Sequence, residues 1–323
     1  MTHVPRTDLK PRLPMIDLAR GLALVAMAVY HFSWDLSFFR LIEVNVSGEP
    51  GWRLFARLIA GSFLFLVGVS LVLASRGGLS RAAFLRRLAL VAGAAALITL
   101  ATWYAFPSSF IFFGILHHIA LASLLALPFL KAPISVTAVI AAAVFALPFF
   151  FTHDVFAQPA LLWTGLAPVP PVTNDYVPLF PWFGVVLAGV VAARLALAFP
   201  DRLRWAERKP TSNVGRLLVW GGKRSLWVYL IHQPVLLAVL WLVAQELGPA
   251  PAADDQSFAQ SCQQSCTSAG SDAEFCTAFC GCAADSLKRE GLWGALMSGR
   301  MNDVAQARVA EVTAMCRSNH PMP

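Results

Sequence analysis

Long apolar runs alternate with short polar breaks along this chain, and seven of the runs reach about 20 residues, the length of an α-helix that crosses the hydrocarbon core of a bilayer. They fall near residues 15 to 34, 54 to 74, 86 to 106, 110 to 130, 132 to 151, 178 to 199 and 225 to 246. Only Pro107-Ser108-Ser109 divides the third from the fourth, and Lys131-Ala132-Pro133 the fourth from the fifth, so both pairs are predicted to be tight helical hairpins. Farther on, helical spacing returns at Leu292, Trp293, Leu296 and Met297, then at Val309, Val312 and Met315. The expected fold is all-α: a polytopic transmembrane helical bundle of about seven spans, followed by a small Cys-rich helical C-terminal domain.

Composition agrees with the pattern. Of 323 residues, 57% are hydrophobic and 13% charged, whereas about one quarter of an ordinary soluble domain is charged. The lipid bilayer is therefore the first expected partner. The net charge of +7 is explained by topology and calls for no nucleic acid. Arg6, Lys10 and Arg12 precede the first run, Arg76, Arg81, Arg86 and Arg87 separate the second from the third, Lys131 follows the fourth, and eight Lys or Arg lie from Arg194 to Arg224. Such connections mark the cytoplasmic side. The opposite ones carry Arg40, Arg53 and Arg57, then nothing, then only Asp154 and Asp175. This predicts a multi-pass inner-membrane protein with a cytoplasmic amino terminus and a periplasmic or extracytoplasmic tail. Asp17 and Arg20 interrupt the first run and no clear small-residue cleavage site follows it, so it is expected to stay as a helix.

All six cysteines, Cys262, Cys266, Cys276, Cys280, Cys282 and Cys316, lie beyond the last run. An oxidising outer compartment is where a disulfide-stapled domain belongs. Cys262-x-x-x-Cys266 and Cys276-x-x-x-Cys280 each place two thiols on one helix face, the spacing that lets two bridges cross-link a helical hairpin. Metal binding is the rival reading, although His320 is the only tail histidine and the spacing is not a common zinc pattern. Six cysteines allow about 15 connectivities, so the pairing stays open. The organisation expected is a cytoplasmic tail over 1–14, a membrane domain over 15–247, a linker over 248–257 and the Cys-rich tail over 258–323.

Chemistry is expected where ionisable groups enter the apolar runs, because such residues usually face a protein interior and carry function. Asp17, Arg20 and His31 all lie in the first run. Eleven residues bring Arg20 and His31 to within about 20° of one helix face, about 16 Å apart along the axis. Asp17 is one turn before Arg20 and suits an ion pair with it, while Asp35 is one turn beyond His31 and suits orienting its imidazole. An inward-facing arginine fits a phosphate-bearing ligand. A histidine beside a carboxylate fits general-base work on a hydroxyl or amine, or transient group carriage.

Plainer readings stand beside these. Asp17 and Arg20 also fit a structural pair near the inner interface, and His31 a hydrogen-bonded histidine at the outer one. In Gly114-Ile115-Leu116-His117-His118 only one of the two histidines can face the bundle centre well. His232, in Tyr229-Leu230-Ile231-His232-Gln233-Pro234, sits beside a proline that frees a backbone carbonyl, which suits a structural hydrogen bond. The loop from Thr152 to Val177 holds Trp163 and Asn174-Asp175-Tyr176; a sugar-holding lid and a set of interfacial anchors both fit it. Pro178-Leu179-Phe180-Pro181-Trp182-Phe183-Gly184 predicts a kinked helix start.

Four motifs together carry a family resemblance. Arg12-Leu13-Pro14-Met15-Ile16-Asp17-Leu18-Ala19-Arg20-Gly21, Phe63-Leu64-Phe65-Leu66-Val67-Gly68, Phe113-Gly114-Ile115-Leu116-His117-His118-Ile119-Ala120 and Phe180-Pro181-Trp182-Phe183-Gly184 resemble the catalytic-domain family of heparan-α-glucosaminide N-acetyltransferase, over about residues 12 to 240. Arg20-x10-His31 also looks like the Arg-x10-His signature of bacterial membrane acyltransferases that O-acetylate surface polysaccharides. The resemblance implies an enzyme that takes an acetyl group from cytoplasmic acetyl-CoA, its donor substrate, and delivers it to a glycan amine or hydroxyl outside. On this sequence, Arg20 with Asp17 would serve the donor, and His31, Asp35, His117 and His118 would form the catalytic set, with no metal expected. Two other classes remain: a haem-binding or redox membrane protein with His31, His117, His118 and His232 as ligands, and a transporter with Asp17, Arg20 and His31 along a proton or anion path.

Overall fold

A computed structural model describes residues 13–42, 44–199, 205–247, 253–268, 270–297, 301 and 303–319. Arg6, Lys10, Arg12, most of the 248–257 linker and His320 lie outside the described residues or their side chains. The described residues form helices and no strands. Its helices are α1 (Pro14–Phe38), α2 (Pro50–Ser75), α3 (Arg81–Ala105), α4 (Ile115–Leu125), α5 (Ile134–Phe150), α6 (Leu179–Leu197), α7 (Asn213–Lys223), α8 (Ser225–Leu247), α9 (Ala253–Ser268), α10 (Ala273–Arg289), α11 (Trp293–Met297) and α12 (Asp303–Asn319).

Local chemistry explains several helix starts. Pro14 and Pro50 open α1 and α2 at the position where a missing N–H costs nothing. Ser80, Ser212 and Asp272 cap α3, α7 and α10, accepting the N–H groups of Ala83, Gly215 and Phe275. Five helices among the described residues, α1, α2, α3, α6 and α8, are long and apolar enough to cross a membrane, while α4 and α5 are shorter apolar helices. The run near 110 to 130 yields only the 11 residues of α4. Gly114 is extended before it, and Pro128 starts a 3-10 turn after it. As the sequence predicts, α6 begins irregularly: Phe180 is non-helical and its bond to Pro181 is cis. The amphipathic α7 was not visible as an apolar run.

The chain forms two compact units, residues 1–31 with 50–235 and residues 32–49 with 236–323. In the first unit α6 packs along both α2 and α5. Glycines set the closeness of these contacts: a Cβ on Gly68 would overlap the Val186 carbonyl oxygen, one on Gly189 that of Phe65, and one on Gly184 that of Ala141. Apolar helices in lipid gain little from hiding from water, so backbone approach at small residues supplies dispersion contacts instead. Leu64, Val67, Val186 and Leu187 fill the resulting core.

In the second unit α9 and α10 form an antiparallel hairpin closed by Cys262–Cys280 and Cys266–Cys276, and Cys282–Cys316 ties α10 to α12. The predicted double cross-link is present, and the third bridge uses the remaining pair. Val312 and Cys316 turn one α12 face into the core of this unit, whereas Met315 is exposed.

Candidate active site

The lower part of the site is built where α1 meets α2. Arg20 Nη1 donates to Asp17 Oδ1 at 2.6 Å, one turn earlier on α1. Its Nη2 donates to Ser70 Oγ on α2 at 2.5 Å, and that hydroxyl donates in turn to the Leu66 carbonyl. Gly68 brings α2 against α6 two residues before Ser70, so the Phe63–Gly68 motif acts here as packing that fixes a polar side chain. Arg87 of α3 lies close enough to Arg20 for their charges to repel, and its own side chain is exposed. Two guanidiniums against one carboxylate leave a net positive charge, suited to an anion.

Eleven residues along α1, the surroundings change. The His31 ring meets that of His232 from α8 edge to face, centroids 5.0 Å apart, and that of Tyr30 at 5.6 Å. No hydrogen bond engages His31 among the described residues. His232 Nδ1–H donates to the Tyr229 carbonyl at 2.7 Å, so Nε2 keeps its lone pair, and it has no partner among the described residues.

The two adjacent histidines of α4 are held differently. His117 Nδ1 accepts the Gly114 N–H at 3.3 Å, which places the proton on Nε2, 3.1 Å from Thr99 Oγ1; that hydroxyl donates to the Ile111 carbonyl. Both nitrogens of His117 are thus engaged. His118 is fully buried, with Nδ1–H directed at the Val177 and Pro178 carbonyls, each 3.2 Å away, and Nε2 unpartnered among the described residues. It clamps the entry to α6. Asp35, one turn beyond His31 on α1, is fully buried.

A further carboxylate enters from the loop. The segment 173–177 is strapped beside 109–113: Asn174 N–H donates to Ser109 O, Val177 N–H to Phe113 O, and Thr173 Oγ1 to Phe110 O. This strap carries Asp175 to the start of α4, where Oδ2 accepts the Ile115 N–H at 2.8 Å, and a Cβ on Gly114 would overlap that oxygen. The helix amino terminus favours a negative charge there. Burial nevertheless pushes the Asp175 carboxyl up to about 6, outweighing the Ile115 N–H. The phenols of Tyr30 and Tyr229 lie within electrostatic reach of it. Tyr176, its neighbour, donates to the Leu162 carbonyl at 2.6 Å, and Trp163 to Ala160, so the loop aromatics brace the strap.

Structure therefore brings Asp17 with Arg20, and His31 with His232, into direct contact. The sequence places Asp175 only in a loop that suits either a sugar-holding lid or interfacial anchors, and it gives no sign of Ser70, Thr99 or Tyr229 as site members. One signal for Asp175 is its rarity: with Asp154 it is one of only two acids from 152 to 177.

Arginine and serine at one level and histidines, phenols and a carboxylate at another combine positive charge suited to an anion with several groups that can exchange protons. No match was found among curated proteins or solved structures. A family model described as heparan-alpha-glucosaminide N-acetyltransferase, catalytic, matches residues 12–234, more than two thirds of the chain, a span that includes every site residue just described. The chain belongs to this family of membrane acetyltransferase catalytic domains.

Proposed function

We propose that the protein is an acetyl-CoA-dependent membrane acetyltransferase that carries an acetyl group from a cytoplasmic donor to a glycan amine or hydroxyl on the opposite side. The observation that carries this reading is the single face of α1 on which a matched guanidinium stands eleven residues from an imidazole with no hydrogen-bond partner among the described residues. Arg20, positioned by Asp17 and Ser70 and joined by Arg87, would grip the phosphates of the donor. His31 would take the proton of the acceptor nitrogen or oxygen as that atom attacks the thioester carbonyl. A carbon–nitrogen or carbon–oxygen bond forms, the carbon–sulfur bond breaks, and the proton returns to the departing CoA sulfur. The Nε2 of His232, without a partner among the described residues, suits a second proton-accepting position, and Asp175 suits orienting the acceptor. His117 and His118, held by Thr99 and by the carbonyls before α6, fit a positioning role within the catalytic set, and buried Asp35 fits holding the far end of the α1 face.

The geometry favours this reading over haem ligation. His31 and His232 touch edge to face at 5.0 Å, leaving no room for a porphyrin between them, and His117 has both nitrogens occupied. A transporter is separated by experiment. The purified full-length protein, given acetyl-labelled CoA and an amino or hydroxyl sugar, is expected to move the label onto the sugar or onto itself. Uptake of a ligand into vesicles with no label transferred would assign it to transport instead.

A further inference from the structure

α7 has three chemically distinct sides. Gly215, Leu218, Val219 and Gly222 recur at helical spacing on the docked side, with Gly215, Val219 and Gly222 buried. The contact with α1 is backbone to backbone: a Cβ on Gly222 would overlap the Asp17 carbonyl oxygen, and one on Gly21 that of Leu218. A second side exposes Val214 and Leu217, 68% and 66% accessible. The third carries the basic side chains Arg216 and Lys223, both exposed, and at the border Arg224 lies over the Trp220 ring, 4.8 Å from its centroid. Arg208 and Lys209 add exposed positive charge just ahead of the helix, and Glu207 is the only acid from 205 to 224.

An exposed apolar strip beside a basic edge, with an aromatic ring at their border, matches the layering of a membrane surface: acyl chains, then the interfacial zone, then headgroup charge. The helix is too short to span, at 11 residues. We infer that α7 lies in the bilayer interface with Val214 and Leu217 among the acyl chains, and that Arg216, Lys223 and Arg224 bind the headgroups of anionic phospholipids. Charge complementarity selects the occupant, because a zwitterionic surface satisfies the apolar strip equally well but leaves three cations without counter-charge. The bound surface lies directly outside the α1 turn that holds Asp17 and Arg20, so lipid contact supports that turn from behind.

The described cysteines are all in disulfides, so Leu217→Cys offers one thiol for an environment-sensitive fluorophore on the full-length protein. It is reconstituted in phosphatidylcholine vesicles containing phosphatidylglycerol, with bromine carried by one lipid or the other. The expected result is quenching by either brominated lipid, with phosphatidylglycerol enriched around the probe by roughly fivefold. In Arg216→Ala/Lys223→Ala/Arg224→Ala that preference falls toward unity while quenching persists. High salt should weaken the preference in the parent as well, a check that needs no folded triple variant. Equal quenching by the two lipids, or none, would overturn the inference. So would loss of the preference on adding free CoA, which would assign the basic edge to the donor phosphates.

Discussion

Arg20 and His31 occupy nearly one face of α1, yet their surroundings differ. Arg20 is gripped by Asp17 at 2.6 Å and by Ser70 at 2.5 Å, while His31 has ring contacts with Tyr30 and His232 and no hydrogen bond among the described residues. The difference follows from protonation. A guanidinium is always charged, and leaving it unmatched among apolar helices costs several kcal/mol, so the fold must supply acceptors. A neutral imidazole carries no such penalty and can be left with its nitrogens available. One end of the face holds a fixed charge between matched acceptors, and the other leaves an imidazole among aromatic rings.

The largest break in this comparison is expected from His31→Gln. Acetyl transfer should fall by roughly 10² to 10⁴ while donor affinity changes little, measured as single-turnover transfer beside equilibrium acetyl-CoA binding in folded protein. Arg20→Lys keeps the charge and loses the fork; losing one charge-assisted hydrogen bond of about 1.5–3 kcal/mol should weaken donor binding by roughly 10- to 100-fold, with a smaller effect on saturated turnover.

Asp175 sharpens the comparison through pH. Its folded-state carboxyl is raised from 3.8 to about 6, so between those values the folded chain holds a proton that the unfolded chain has released. Stability therefore falls as pH rises through that window. Asp175→Asn should raise the melting temperature relative to the parent above pH 6, where the parent carries the buried charge, and give no gain at pH 4. If the ionised carboxylate orients the acceptor, the parent's transfer rate should also climb through about pH 6, and this limb should vanish in the variant. The smallest effect on transfer is expected from Cys282→Ser/Cys316→Ser. Opening a loop of sequence separation 34 should cost the tail roughly 3 to 4 kcal/mol, read by its melting, with transfer unchanged because the matched family segment ends at 234.

Much of this was legible in the sequence, for reasons that also mark where legibility ends. The 3.6-residue period places Arg20, Asp17 and His31 on one face because all three share a helix. The Cys-x-x-x-Cys spacings announce a doubly bridged hairpin, yet only the folded tail pairs Cys282 with Cys316. The run near 110 to 130 reads as a full span because apolarity does not reveal that 110–114 is non-helical and strapped to 173–177. That same strap delivers Asp175 to Ile115 across 60 residues of sequence, a contact that no local pattern encodes. α7 hides for another reason: its docked side is made partly of glycine, so its contact with α1 leaves a weak apolar signature.

If the two ends of the α1 face serve one reaction across the bilayer, the reaction has a fixed sidedness, which sealed, uniformly oriented proteoliposomes measure. Labelled acetyl-CoA is supplied in one compartment and an impermeant amino or hydroxyl sugar in the other. Labelled sugar is expected when the donor is on the Arg20 side and the acceptor on the His31 side, and none with the compartments reversed. Product formed only when donor and acceptor share a compartment would contradict it.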